Sequence, residues 1–561
     1  MKYKPYHAPL YEALLHYQDS GNRSFHVPGH KNGKAYRGLM NTENRKQHGS
    51  SDVVPTAAFL DMMRMDVTEI TGTDDLHHPE GVILGAQELA ADCFGAEESF
   101  FLVGGSTAGN LAMLLTVCDE PQSIVLVQRN VHKSVIHGLM LAGARAVFLE
   151  PHVDPCSGLA VIPSAETVAA AVQAYPKAKG VLVTLPNYYG MGADLTPIAD
   201  ICHAAGMPLL VDEAHGAHYG QHPQLPASSL SCGADGVVQS THKMLSAFTM
   251  GAMLHIQGPL LNRSLLRQRL AMVQSSSPSY PVMASLDLAR RLLHVQGADT
   301  FTAGLAAVNA FKRGLTKLPR FQLLQPVQAL QQEPPAEAEP AAGGNKAADV
   351  SGRPTAPPAA AMPSAAGYTA QDPFKAVIYD GAGVLSGYGL QQQLEAYGCV
   401  PEMSDERYVV LLFSLGSTRS DAEHLLQALE HISQANENEH RQDLNEPSTQ
   451  AAKKAIHYIS TWNNLLDASM ESFSEPISFS LQPISEKDTA EVELEDCAGY
   501  RSAEMIIPYP PGIPILYAGE RISPAAVKRI KLLRDEGARF HGAADGTLRS
   551  LKIMKEGEKL S

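Results

Sequence analysis

The sequence predicts an α/β fold: a mostly parallel central sheet with helices on both faces, a small α/β domain and a C-terminal α+β domain. Three observations predict it. Between residues 80 and 256, short apolar runs alternate with segments of helical spacing, the pattern of a parallel sheet covered on both sides. At 561 residues the chain exceeds what one hydrophobic core organises. A second, shorter set of strand and helix signals begins at Asp372, after a stretch of different composition.

Taken in order, an N-terminal segment (1–75) precedes the large domain (76–320). Strand candidates in the latter are Ser99–Val103, Ser123–Gln128, Ala144–Glu150, Gly180–Leu185, Met207–Val211, Asp235–Gln239 and Gly251–Ile256. Each is rich in Val, Leu, Ile or Phe and bounded by Gly, Pro or charged residues. Helical spacing fills Ala108–Cys118 and Leu195–Ala205. Residues 325–367 are crowded with Pro, Ala and Gly, bury too little apolar surface to offset ordering entropy, and read as a disordered insertion. The small domain (368–435) holds strand candidates Lys375–Tyr379 and Tyr408–Ser414 and a helix at Asp421–Ile432. A polar linker (436–452) leads to the C-terminal domain (453–561), which contains PYPPGIPILYAGE at Pro508–Glu520.

Composition narrows the function. The chain is 44% hydrophobic and 18% charged, ordinary for a globular enzyme. Lys plus Arg number 44 and Asp plus Glu 59, for a net charge of −15. That balance argues against nucleic acid or an anionic membrane as partner and suits a cationic substrate. The first residues form no signal peptide, and no apolar run approaches the roughly 18 residues of a membrane span, so a cytoplasmic location is expected. The seven cysteines are scattered without a Cys-x-x-Cys pair, and read as buried thiols with neither a disulfide frame nor a zinc site.

Ligands of parallel sheets bind beyond the carboxyl ends of the strands, so the residues after each run matter most. Gln239-Ser240-Thr241-His242-Lys243 follows one strand. A lysine there, preceded by hydroxyls and a histidine, suits a Schiff base beside a phosphate. Alone it would be an ordinary loop lysine; its companions decide otherwise. Val211-Asp212-Glu213-Ala214-His215 sets a carboxylate after another strand, and a carboxylate is what keeps a pyridine nitrogen protonated. Val103-Gly104-Gly105-Ser106-Thr107-Ala108-Gly109-Asn110 leads from a strand into a helix and offers backbone N–H groups and hydroxyls to an anion. Gln128-Arg129-Asn130-Val131-His132-Lys133-Ser134 places His132 where it could stack on a ring. Together these residues point to pyridoxal 5'-phosphate.

The set resembles the Orn/Lys/Arg decarboxylase family of fold-type I pyridoxal-phosphate enzymes, which share the aspartate-aminotransferase-like fold. Further motifs carry the resemblance: Ser24–Lys31 (SFHVPGHK), Asp66–His78 (DVTEITGTDDLHH), Ser275–Pro281 (SSSPSYP) and the C-terminal YPPGIP. It covers residues 7–320 and 372 to near 545. It implies that Lys243 carries the cofactor, Asp212 pairs with the pyridinium nitrogen, and His132 stacks on the ring. It also implies that Ser106, Thr107, Ser240 and His242 hold the phosphate, and that His215 lies near ring or substrate. Activity is implied toward arginine, giving agmatine in polyamine metabolism, with lysine or ornithine next. The SSSPSYP segment is implied to approach a partner subunit's site, in a homodimer or larger homo-oligomer. The signature opens within the first 31 residues, as in the short Gram-positive form without a response-regulator-like domain. Met250 stands where many members have Gln.

Rival readings stay open. An aminotransferase on the same fold would clamp the α-carboxylate with an arginine; the run Val409–Ser414 has none, although Arg407 and Arg419 are near. A metal-binding protein could use Asp212, His215, His218 and His222, but leaves the lysine motif unexplained. A third reading is a cofactor-binding protein without turnover. Glu402 is a candidate for the group that receives the substrate's distal cation, with a solvated loop carboxylate as the alternative.

Overall fold

The computed structural model describes residues 3–36, 56–326, 368–442, 472–509, 514–535 and 539–555. Seven strands form the body of the main sheet: β1 (Glu98–Leu102), β2 (Ile124–Gln128), β3 (Arg145–Leu149), β4 (Val181–Thr184), β5 (Leu209–Asp212), β6 (Gly236–Gln239) and β7 (Ala252–Ile256). All seven sequence expectations lie within two residues of these bounds. Spatial order is β1-β7-β6-β5-β4-β2-β3, with Ile477–Ser478 added antiparallel to β3. The run from β6 to β3 is parallel, whereas β7 is antiparallel to both its neighbours. Both faces are covered, which is why the strands read as continuous apolar runs: Val125–Val127 and Leu209–Val211 are fully buried.

The helices that matter most for the site pack unusually close. Gly109, in helix Gly105–Val117, lies where a Cβ would stand 2.5 Å from Val238 Cγ2 of β6. Gly138, in helix Lys133–Ala142, lies where a Cβ would stand 2.6 Å from Leu114 Cδ1 of the neighbouring helix.

A second sheet has the order Met403–Ser404, Val409–Leu412, Lys375–Asp380, Phe321–Leu323, with every pair antiparallel. The small unit therefore takes its first strand from Phe321, upstream of the expected start at 368. Residues 327–367 join two neighbouring strands of this sheet, and the expected disordered insertion there lies outside the described residues. The expected linker at 436–452 needs correction, because helix Arg419–Gln442 runs seven residues into it. Residues 434–442 are polar but contain neither Gly nor Pro, so polarity without a breaker was insufficient to end the helix. The rest of that linker lies outside the described residues.

The N-terminal segment is part of the main body. Helix Pro9–Asp19 packs on helices Val82–Phe94 and Tyr280–Gln296, with Leu10 and Leu14 fully buried. Arg290, itself buried, donates to the carbonyls of Pro5 (2.9 Å) and His7 (2.8 Å) and pairs with Asp287. In the C-terminal region two small two-stranded antiparallel sheets and helix Pro524–Asp535 enclose Leu494, Ile506, Leu516, Ile530 and Leu551. Within the YPPGIP motif, residues 510–513 lie outside the described set. The cysteines are free as expected, but not uniformly buried: Cys156 is exposed, and Cys93, Cys232 and Cys399 are half-buried. Among the described residues no helix is long and apolar enough to cross a membrane.

Candidate active site

Because β2, β4, β5 and β6 are parallel, their last residues (Gln128, Thr184, Asp212 and Gln239) end on one side of the sheet. The segments that follow them line a cavity of about 1330 Å³. Ser106, Thr107, His132, Asp212, His215, Ser240, His242 and Lys243 all line it, so the structure brings together the eight residues assigned from the sequence to the cofactor site.

One wall is the N-terminal turn of helix Gly105–Val117. Gly105 adopts φ +70°, a left-handed conformation that favours glycine, and its N–H donates to Met250 O at 2.9 Å. Gly104 caps the helix without a side chain, leaving the first-turn amides after Gly105 available to an anion. Ser106 Oγ and Ser240 Oγ, from different elements, lie 2.7 Å apart. His242 donates from Nδ1 to Gly251 O (2.9 Å), so its Nε2 donates to an anion only when the ring is an imidazolium.

Asp212 is 2% exposed and rigidly held. Asn110 Nδ2 donates to its Oδ2 at 2.7 Å and also reaches Ser134 Oγ at 3.0 Å; the Ala214 N–H donates to Oδ1 at 3.1 Å. His132 is the N-cap of helix Lys133–Ala142: its Nδ1 accepts from the Ser134 N–H (3.2 Å) and meets Ser134 Oγ at 2.8 Å. Burial holds His132 below the usual imidazole range, opposed by the Asp212 charge. The adjacent Glu213 does not line the cavity. It accepts from Ser229 N (2.8 Å), Ser229 Oγ (2.6 Å) and Gln239 Nε2 (2.7 Å), and burial pushes it up to about 7. It braces the strand end that carries Asp212.

Lys243 sits on the four-residue helix Thr241–Met244. Its Nζ lies 3.0 Å from His215 Nε2, and burial lowers it from the ordinary lysine range against the pull of Asp212 and Glu402. On the other side of the same ring, Lys375 Nζ lies 2.9 Å from His215 Nδ1. The Tyr188 ring stands edge-on to His215 at 5.0 Å.

Pyridoxal phosphate presents an anionic phosphate, a basic ring nitrogen and an aldehyde carbon. The uncapped helix turn, the anchored Asp212 carboxylate and the partly desolvated Lys243 amine match these three features within one cavity.

Sequence reasoning missed Asn110, Ser134 and Lys375. The first two close the quoted GGSTAGN and RNVHKS motifs, and Asn110 follows Ser106 at the i+4 spacing that shares a helix face. Lys375 has no local signal. The metal reading is not supported by the geometry: His218 pairs with Asp372 (3.1 Å), and His222 Nδ1 accepts from the Gln224 N–H (3.0 Å). Among the described residues no group of His, Cys, Asp and Glu could hold a metal ion. Arg419 pairs with Glu423, whereas Arg407 lines the cavity with its guanidinium over the Tyr379 and Tyr408 rings.

Comparison with known families matches residues 8–421 to "Orn/Lys/Arg decarboxylase, major domain" and 466–547 to "Orn/Lys/Arg decarboxylase, C-terminal domain". The chain is 35% identical over 553 residues to the uncharacterized protein YaaO of Bacillus subtilis (strain 168), covering 98% of this chain and 99% of that one. It is 31% identical over 553 residues to an arginine decarboxylase of Halalkalibacterium halodurans, covering 98% of each. Among solved structures it is similar to the constitutive lysine decarboxylase of E. coli, with TM-score 0.71 and 22% identity over 98% of this chain and 82% of the other.

Proposed function

From the premise that this chain belongs to the Orn/Lys/Arg decarboxylase family, and so is a pyridoxal-phosphate-dependent decarboxylase of basic amino acids, we propose that its substrate is arginine, converted to agmatine and CO2. One observation supports the site assignment most: the Lys243 amine, the anchored Asp212 carboxylate and the uncapped helix turn share a single cavity. The choice of arginine is supported by the full-length likeness to relatives named arginine decarboxylase.

In this reading Lys243 supplies the amine that holds the cofactor, and Asp212 supplies the fixed negative charge. Ser106, Thr107, Ser240, His242 and the helix turn hold the phosphate, and His132 stacks on the ring. When bound, pyridoxal phosphate supplies the electron sink for the bond to the departing carboxylate. The protein orients the substrate, excludes water and keeps a proton at Lys243 or His215 for the carbon that loses CO2. Glu402 lines the cavity with its charge toward Lys243 and Lys375, which suits it to the substrate's distal cation. A homodimer belongs to this reading: Phe248 and Met250 are apolar and half exposed, and Met250 lines the cavity, which favours cover by a second copy.

The test is to reconstitute the protein with pyridoxal phosphate, record the visible band of the lysine-bound cofactor, and assay CO2 from arginine, lysine and ornithine separately. The band is expected in the wild type and absent in Lys243→Ala, with CO2 released fastest from arginine. Faster release from lysine or ornithine would overturn the substrate, and a normal band in Lys243→Ala would overturn the site.

A further inference from the structure

Two lysines end on one imidazole. Lys243 Nζ lies 3.0 Å from His215 Nε2, and Lys375 Nζ lies 2.9 Å from His215 Nδ1. The topology that brings Lys375 there is specific. Residues Ala370–Gln371 pair antiparallel with Met191–Gly192, and Gly190 (φ +78°) lets the following turn approach. A Cβ at Gly190 would stand 2.9 Å from Asp372 Cβ and 3.0 Å from Lys375 Cβ. Lys375 then opens the central pair of the second sheet, and its Nζ reaches Tyr188 and His215 in the segments that follow β4 and β5.

Proton counting constrains the three groups. An ammonium only donates, and a neutral imidazole has one N–H and one lone pair. Burial and the flanking lysines hold His215 well below the usual imidazole range, so the ring is neutral. Both lysines cannot donate to it at once. One is an ammonium giving to the ring; the other is a free amine receiving from it.

The surroundings select the donor. Lys375 Nζ has a second acceptor, the Tyr188 carbonyl, at 3.0 Å. It also faces the Asp372 carboxylate, which is held in turn by His218 at 3.1 Å and the Phe374 N–H at 2.9 Å. Burial lowers Lys375 to about 8, and the Tyr188 carbonyl and the Asp372 carboxylate around its Nζ are what favour the charged form there. Lys243 faces Asp212, whose oxygens already accept from Asn110 and Ala214. Glu402 draws on both lysines, and His132 and His242 are the other titratable groups facing the ring.

We propose that Lys375 is a positioning residue: its ammonium donates to His215 Nδ1, fixes the Nε2–H tautomer, and thereby holds Lys243 as a free amine. The inference rests on the reading of Lys243 as the cofactor lysine and deepens it. A free amine is the form in which a lysine attacks an aldehyde, and the His215 Nε2–H is the proton nearest that amine.

Competitive labelling of the cofactor-free protein with acetic anhydride, read by mass spectrometry of the Lys243 peptide across pH, tests it. Lys243 of the wild type is expected to label as a free amine at neutral pH. In Lys375→Met the labelling at pH 7 should fall about ten-fold, the equivalent of one pH unit in its profile. In a His215→Phe background the same substitution should do nothing further. An ordinary lysine profile in the wild type would overturn the proposal without any variant. So would an unchanged profile in Lys375→Met, or an equal effect in both backgrounds, which would reduce Lys375 to a distant charge. The labelling needs neither cofactor nor substrate, so its failure leaves decarboxylation standing, and an absence of CO2 leaves the labelling result standing.

Discussion

Lys375 sets a stability cost against a chemical role. Its folded value of about 8, against an ordinary 10.5, means that the unfolded chain binds more protons throughout that window. Stability should therefore rise with pH from 8 to 10.5, as the cost of the buried ammonium is relieved. Relative to Lys375→Met, the wild type is expected to gain about 3 kcal/mol across the window, because each tenfold change in proton affinity is worth about 1.4 kcal/mol. Urea unfolding of both proteins at pH 7.5 and pH 10.5 measures it; parallel curves would show that Lys375 does not titrate there. Lys243 and Asp212 were readable from sequence because each stands just beyond an apolar run, in company with hydroxyls or acids. Lys375 was not, because its partner His215 lies 160 residues away and nothing near either residue records the contact.

At the scale of elements, the site depends on how closely helix Gly105–Val117 approaches the sheet. Helix propensity alone favours Gly109→Ala by about 1 kcal/mol. The added Cβ would meet Val238 Cγ2 at 2.5 Å and Leu102 Cδ1 at 2.9 Å, both in fully buried side chains. Overpacking of that kind typically costs about 1–3 kcal/mol, so the clash is expected to win. Gly109→Ala should lower the thermal midpoint and weaken pyridoxal phosphate binding, since Ser106, Thr107 and Asn110 move with the helix. A cofactor titration beside a thermal scan checks both effects. The seven strands of the main sheet were legible, because apolar runs bounded by turn residues are a local signal, whereas the two- and three-residue strands Met403–Ser404 and Phe321–Leu323 were too short to give one. The end of helix Arg419–Gln442 was not, since a polar segment without Gly or Pro serves equally as linker or exposed helix.

Across the whole molecule, Arg129 ties the C-terminal region to the main sheet. It follows β2, bonds Glu150 after β3 at 2.5 Å, and pairs with Glu520 from the C-terminal region. Tyr517 OH donates to the Arg129 carbonyl at 2.6 Å, and its ring stacks on Phe148 at 4.1 Å. Arg129→Met would leave two carboxylates facing each other with no cation between them, Glu520 being buried. Removing one partner from a buried ion pair typically costs about 3–5 kcal/mol, and a loss of that order is expected in urea unfolding. Cleavage of the C-terminal region by limited proteolysis should quicken in parallel. A stability matching the wild type would show that apolar contacts alone hold the region in place.

The sequence by itself determined the seven strands of the main sheet, the largely parallel character of that sheet, the family, the cofactor and eight of the residues that line the cavity. These follow from signals that act over a few residues: a run of Val and Leu, a Gly-rich turn, a carboxylate or a lysine just past a strand. Only the tertiary structure decided that Asn110 anchors Asp212, that the N-terminal segment completes the main body, and that Lys375 shares His215 with Lys243. Those depend on helix packing and on the pairing of Ala370–Gln371 with Met191–Gly192, contacts between residues too far apart in the chain for any local pattern to encode.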